Sequence, residues 1–431
     1  MLSSHAARLV LSLALLTAPL PTWAGFKDFN IPPSDATVDV KAFSVANFTL
    51  NNLTSVFLNP VLPGREDLTL PIHAFLVEHK PSKESFMFDL GMRKDPENLP
   101  PAFAGFFTSK AITFDAFKDI TDLLKEGGVS LNSIKTVFWS HAHFDHIGDM
   151  SKFPKGTKIV VGSKTDTSIF PDNPNSDLQA SDLDGKQLVK LDFDKSKLTI
   201  GGLKAIDQFG DGSFYLLDTP GHLSGHMTAL ARTTPTSFIL LGGDTLHHVG
   251  QLRPTAALQS TVPCPGDLLA STRTAISTSS FWSVNSTPGA FDLPSRAQPF
   301  FALSDVAGSF YADPGEATIS VAKFEKFDAD KDFLTIVAHD ASVGGVLPLF
   351  PESLSTWQED GLKEKMAWLF LDERNEAFEL SPVSANDQPT SSLDEEYTKC
   401  VQQCSANAQK DRRMWMQRRS KVDWDMLMEE E

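Results

Sequence analysis

The chain has 431 residues, 41% of them hydrophobic and 22% charged, with a formal net charge of −17. That is ordinary globular composition, long enough for one large unit or a few average domains. The acidic balance argues against a nucleic-acid partner, because phosphate binding draws on Lys and Arg, and three cysteines are too few for a disulfide framework.

Residues 1–24 read as a signal peptide: His5 and Arg8 precede the apolar run 9–20, and Ala24 offers a small residue at the cut. The run is too short to span a bilayer, and no later stretch reaches the roughly 18 apolar residues a spanning helix needs. A secreted chain without a membrane span is therefore expected. Sequons at Asn47, Asn52 and Asn285 fit a secreted glycoprotein. Alternation predicts strands over 40–50, 71–78 and 85–89, and a helix over 116–125 stopped by Gly127 and Gly128. Residues 137–140 read as the end of a buried strand, and 158–162 as another. The Asp-, Asn- and Ser-rich segment 171–190 reads as an exposed loop. Further strands are expected over 213–218, 237–242 and 333–338, each ending in a polar residue. Strands interspersed with helices, with reactive residues at strand ends, describe a layered α/β architecture.

Residues 250–315 form a long insertion rich in Ser, Thr and Pro that carries Phe281, Trp282, Phe300 and Phe301. Such a segment is a lid or substrate wall, or it covers the core. The catalytic unit is expected over 25–380, followed over 381–431 by a linker and a helical tail. Cys400 and Cys404 share one face of that tail and do not easily bridge each other. Cys264 can pair with either, and none of the three has zinc-ligand spacing.

The chemistry concentrates where the 137–140 strand ends, in His141-Ala-His143-Phe-Asp145-His146. A lone His is more often a satisfied core or surface residue than a ligand. Three imidazoles and a carboxylate crowded at one strand end, in a chain with 11 His, instead form a metal motif. In an extended backbone His141 and His143 point the same way and can grip one ion, while Asp145 and His146 face a second. Three other strand ends supply further donors: His222 and His226 after 213–218, Asp244 after 237–242, and His339 with Asp340 after 333–338. His141, His143 and His222 would hold one ion, Asp145, His146 and His339 the other, with Asp244 between them.

His141-x-His143-x-Asp145-His146, Thr219-Pro-Gly-His222, Gly243-Asp244 and Ala338-His339 together resemble the metallo-β-lactamase superfamily, over roughly residues 70–345. The resemblance implies a four-layer αββα sandwich with a dimetal site at one edge of its paired sheets. It also implies that His222 rather than His226 is the ligand, leaving His226 beside it in a supporting role. The bridging Asp244 and its spacing from His222 are similar to those of quorum-quenching lactonases, whereas drug-hydrolysing members generally lack that carboxylate. Such lactonases often carry a Tyr three positions after the bridging Asp, where this chain has His247.

The expected function is hydrolysis of a lactone by a hydroxide bridging two zinc ions (iron or manganese as alternatives), with Asp145 or His247 managing the proton. A lactam or thioester suits the same machinery, with His247 or His248 protonating an amide leaving group. A one-iron dioxygenase or a non-hydrolytic metal-binding protein is the reading from a different class. Phe144, Phe281 and Trp282, with the cluster Phe103, Phe106 and Phe107, suggest a small apolar substrate, although Phe residues so placed also serve as core.

Overall fold

The computed structural model describes residues 25–383. The expected leader 1–24, the tail from 384 onward, Cys400 and Cys404 lie outside the described residues. Two sheets face each other. The first has seven strands in the order Ile112–Phe114, Val38–Leu50, Leu68–His79, Glu84–Phe88, Ile134–Phe138, Lys158–Gly162 and Gln187–Leu191. It is antiparallel up to Glu84–Phe88 and parallel from there on. The second has six, in the order Phe333–Ile336, Ser237–Leu241, Met227–Thr234, Phe214–Asp218, Leu203–Asp207 and Leu198–Ile200. Its one parallel pair is Ser237–Leu241 beside Phe333–Ile336.

Side chains alternate across these strands and fill three layers of core. Val38, Val40, Phe75, Val77, Phe86 and Phe138 of the first sheet meet Phe214, Leu216, Ala229, Ile239 and Ile336 of the second. The opposite face of the first sheet, with Phe43, Leu76, Val137 and Ile159, packs on Ile120 and Leu124 of the helix Ile120–Glu126. The opposite face of the second, with Tyr215, Leu217, Phe238 and Leu240, packs on Val321, Phe324 and Phe327 of the helix Pro314–Ala329. Helices outside two sheets make the αββα sandwich. Both faces of each central strand are buried, which is why these strands read as continuous apolar runs.

The predicted helix starts later than its sequence pattern, because Asp119 caps it by accepting the Thr121 and Asp122 N–H groups. Residues 171–190 are not simply an exposed loop. They include the helical turn Ala180–Leu183 and bury Ser176, Leu178 and Asp182, Leu178 serving as core of the outer layer. The central strand Met227–Thr234 went unpredicted because Thr and Arg interrupt its apolar pattern. Its Arg232 is buried, donating to the carbonyls of Gly212, Pro235 and Pro32 with its guanidinium over the Phe238 ring.

The 250–315 insertion covers the core. Its helices Ala256–Thr261 and Gly266–Ala275 and its side chains Phe281, Phe291, Phe300 and Phe301 join the cluster over the second sheet. Cys264 is half-buried with no disulfide partner among the described residues, and burial pushes its thiol up to about 12. Among the described residues no helix is long and apolar enough to cross a membrane.

A buried ion pair ties the insertion to the outer helix. Arg253 donates to both oxygens of Asp328 at 2.7 and 2.8 Å and to the Ala367 carbonyl at 3.1 Å. Asp328→Ala leaves that guanidinium buried without its counter-charge and should cost about 3–5 kcal/mol, read as a lower midpoint in urea unfolding.

Candidate metal centre

The strands Ile134–Phe138, Phe214–Asp218, Ser237–Leu241 and Phe333–Ile336 deliver the polar residues from their C-terminal ends. From the first come His141, His143 and the turn Phe144–Ile147 with Asp145 and His146; from the others come His222, Asp244 and His339. Gly243 permits the approach: its φ is +51°, and a Cβ there would lie 2.8 Å from both His226 Nε2 and Ser140 Cβ.

Two donor groups share Asp244. In the first, His143 Nδ1 lies 2.8 Å from His141 Nε2 and 2.9 Å from His222 Nε2, and His222 Nε2 is 3.4 Å from Asp244 Oδ2. In the second, His146 Nε2 and His339 Nε2 lie 3.0 and 3.2 Å from Asp244 Oδ1, and 3.5 and 3.3 Å from Asp145 Oδ2. Within each group the donor atoms lie inside 4.8 Å of one another. The structure thus brings together all seven side chains that the sequence suggested as ligands.

The donors fit divalent cations. His146 Nε2 and Asp244 Oδ1 are buried and close, yet neither has a partner in hydrogen-bonding geometry. Three imidazole nitrogens of the first group also face one another, an arrangement that a shared cation satisfies.

The outer ring atoms of His339, His141 and His146 are tied down, as suits ligand imidazoles, whereas His222 Nδ1 is buried with no hydrogen-bond partner among the described residues. His339 Nδ1 meets the Pro71 carbonyl at 2.8 Å, and His141 Nδ1 meets the Ser140 hydroxyl at 3.0 Å. His146 Nδ1 meets Asp89 Oδ2 at 2.9 Å, while Asp89 Oδ1 accepts the Ser140 N–H at 2.7 Å. Asp89 was not singled out from sequence. An acidic residue closing the strand that runs parallel to Ile134–Phe138 was the available signal.

His226 stands outside both groups. Its Nδ1 donates to the Thr219 carbonyl at 3.0 Å, and its Nε2 accepts the Asp244 N–H at 2.9 Å, so it holds the backbone of the shared carboxylate. Asp340 caps the next turn by accepting from Ser342 N–H and hydroxyl at 3.0 and 2.5 Å. His248 accepts the Gly250 N–H and donates to the Ala377 carbonyl, which ties loops together away from the donors. His247 lies in the site, with Nε2 3.2 Å from Asp244 Oδ2 and its ring stacked on His339 at 5.3 Å. Phe144 is buried against Phe103 and Phe107. The other two residues suggested for a substrate pocket part ways: Phe281 is core between Phe300 and Phe301, and Trp282 is 69% exposed.

Charge divides the site. Burial and neighbouring imidazoles hold His141 and His222 well below the usual histidine range, and burial brings His143 down to about 4. Burial pulls His146 and His339 down too, but the carboxylates outweigh it, raising His146 well above that range and His339 to about 10. Asp145 and Asp244 stay depressed against burial because His146 and His339 face them.

The sequence profile of the metallo-beta-lactamase superfamily matches residues 68–334. The chain belongs to that superfamily. It is a metal-dependent hydrolase whose similar proteins include the gamma-lactamase FDB1 of Fusarium pseudograminearum (strain CS3096), 37% identical over 351 residues, 79% of this chain and 83% of that one. The metallo-hydrolase mfmC of Annulohypoxylon moriforme is 36% identical over 379 residues, 83% of this chain and 92% of that one. The cytochrome P450 monooxygenase mpaDE' of Penicillium brevicompactum is 35% identical over 362 residues; the match covers 81% of this chain but only 39% of that longer protein. Among solved structures, an AiiA mutant of B. thuringiensis with N-decanoyl-L-homoserine bound is 18% identical over 74% of this chain and 99% of that one, with a TM-score of 0.45.

Two measurements follow for this superfamily member. In the ion-free site the carboxylates raise His339 to about 10 and shift His146 in the same direction, so cation binding there must displace protons. Zinc titration by calorimetry in two buffers of different ionisation enthalpy should register net proton release, and buffer-independent heats would contradict it. Asp89→Asn keeps the shape but removes the carboxylate behind His146, and should weaken zinc affinity by about 10- to 100-fold in chelator competition.

Proposed function

We propose that the chain is a dinuclear hydrolase that opens a small cyclic ester, acting outside the cell as the leader expected over residues 1–24 would allow. The observation that carries this reading is Asp244, shared by both donor groups: Oδ2 lies 3.4 Å from His222 Nε2 and Oδ1 3.0 Å from His146 Nε2, while His339 Nε2 reaches Oδ1 and Oδ2 at 3.2 and 3.3 Å. Two zinc ions held there, or iron or manganese in their place, would supply Lewis acidity that makes water nucleophilic near neutral pH and polarises an acyl carbonyl.

The chain's own residues manage the rest. Asp145 Oδ2, 3.5 Å from His146 Nε2 and 3.3 Å from His339 Nε2, is the carboxylate placed to take a proton as water adds to the carbonyl. His247 presents Nε2 to the same space and can donate a hydrogen bond to the departing heteroatom. Phe144, packed with Phe103 and Phe107, offers apolar surface near Asp145 for an acyl or aromatic portion of substrate. Two complete donor groups favour hydrolysis over one-iron oxidation, which would leave the second without use.

A cyclic amide is the second reading. Nitrogen leaves poorly without a proton, so an imidazole at His247 suits a lactam, and FDB1 is named a gamma-lactamase. On zinc-loaded protein, a panel of lactones, γ-lactams and thioesters should show lactone opening. Asp145→Ala should reduce it by about 10²- to 10⁴-fold. An unchanged rate in that variant would remove the mechanism, and higher kcat/KM for lactams would make the cyclic amide the substrate.

A further inference from the structure

Tyr311 closes the long insertion and was not anticipated from sequence. It is buried, and its hydroxyl lies 2.9 Å from His247 Nδ1 and 3.4 Å from Gln251 Oε1. We propose that Tyr311 is a positioning residue whose phenol donates to His247 Nδ1, holding the imidazole in the tautomer that carries its proton on Nε2, toward Asp244 and the reacting group. This rests on the reading of His247 Nε2–H as a hydrogen-bond donor to the departing heteroatom.

Three observations fix the direction of that hydrogen bond. Gln251 Oε1 already accepts the His247 and His248 N–H groups at 2.9 and 3.1 Å, so the closer Nδ1 is the better acceptor for the phenol. On its other side His247 Nε2 sits 3.2 Å from a carboxylate oxygen, which accepts and cannot donate when ionised. Tyr311 is buried, and its one hydroxyl proton faces two acceptor positions, Nδ1 at 2.9 Å and Oε1 at 3.4 Å. A neutral imidazole has one proton; with Nδ1 accepting, that proton is on Nε2.

The same segment braces the first donor group. The Ala312 N–H donates to the His222 carbonyl and the Asp313 N–H to the Gly221 carbonyl, both at 2.9 Å. Asp313 then caps the helix Pro314–Ala329 through the Glu316 N–H. Phe57, centred 4.5 Å from the His247 ring, and His339 leave that imidazole little freedom to turn. The insertion thus delivers a phenol to the place where His247 needs a partner.

¹⁵N NMR of histidine-labelled, zinc-loaded full-length protein reads the tautomer directly. The wild type should show His247 with protonated Nε2 and unprotonated Nδ1, and Tyr311→Phe should show a mixture. Tyr311→Phe should also lower kcat about tenfold, the worth of one buried hydrogen bond, with KM within about twofold. In a His247→Ala background Tyr311→Phe should add nothing, because the phenol acts through the imidazole. A wild-type His247 protonated on Nδ1 would overturn the proposal, as would an equal loss in both backgrounds. The wild-type spectrum decides the point even where a variant fails to fold. If His247→Ala leaves turnover unchanged, the reading of His247 as that hydrogen-bond donor fails instead, while the spectrum still judges Tyr311.

Discussion

A carboxylate without water around it is costly unless positive charge meets it. Asp244 is such a carboxylate, enclosed between two sets of imidazoles, and the molecule is arranged around that demand. On one side burial and neighbouring imidazoles lower the histidines toward the neutral form that coordinates; on the other, Asp244, Asp145 and Asp89 raise His146 toward its charged form. Cation binding and proton release are thus linked at this site.

The sandwich meets that demand by geometry. Strands from both sheets end at one edge, so residues more than 100 positions apart arrive together without long excursions of the chain. What remains is fine placement, and buried hydrogen bonds from outside the donor set provide it. His226 grips the Asp244 amide, Asp89 and Pro71 aim His146 and His339, and Tyr311 faces His247. Losing one of these contacts would alter orientation before it altered the fold.

The donors were legible in the sequence because metal chemistry crowds unusual residue types into a short span, as in 141–146, and sets single ones at the ends of apolar runs. The sandwich was legible through its resemblance and through the continuous apolar strands. Asp89 was hidden because one acidic residue at a strand end looks like an ordinary turn. Tyr311 was hidden because its value depends on meeting His247 across 64 positions, a contact with no local signature. Met227–Thr234 was masked by a buried Arg232 whose carbonyl partners lie elsewhere in the chain. Composition alone left the insertion open between lid and core cover; packing distinguishes Phe281, locked among aromatic rings, from its exposed neighbour Trp282.

The second sheet places Ser237–Leu241 beside Phe333–Ile336, with the whole insertion between them in sequence. In chain order the donors around His141 are complete at Asp244, whereas the second group needs His339, 95 positions later. A chain cut within the insertion would therefore carry every donor of one group and lack the last donor of the other.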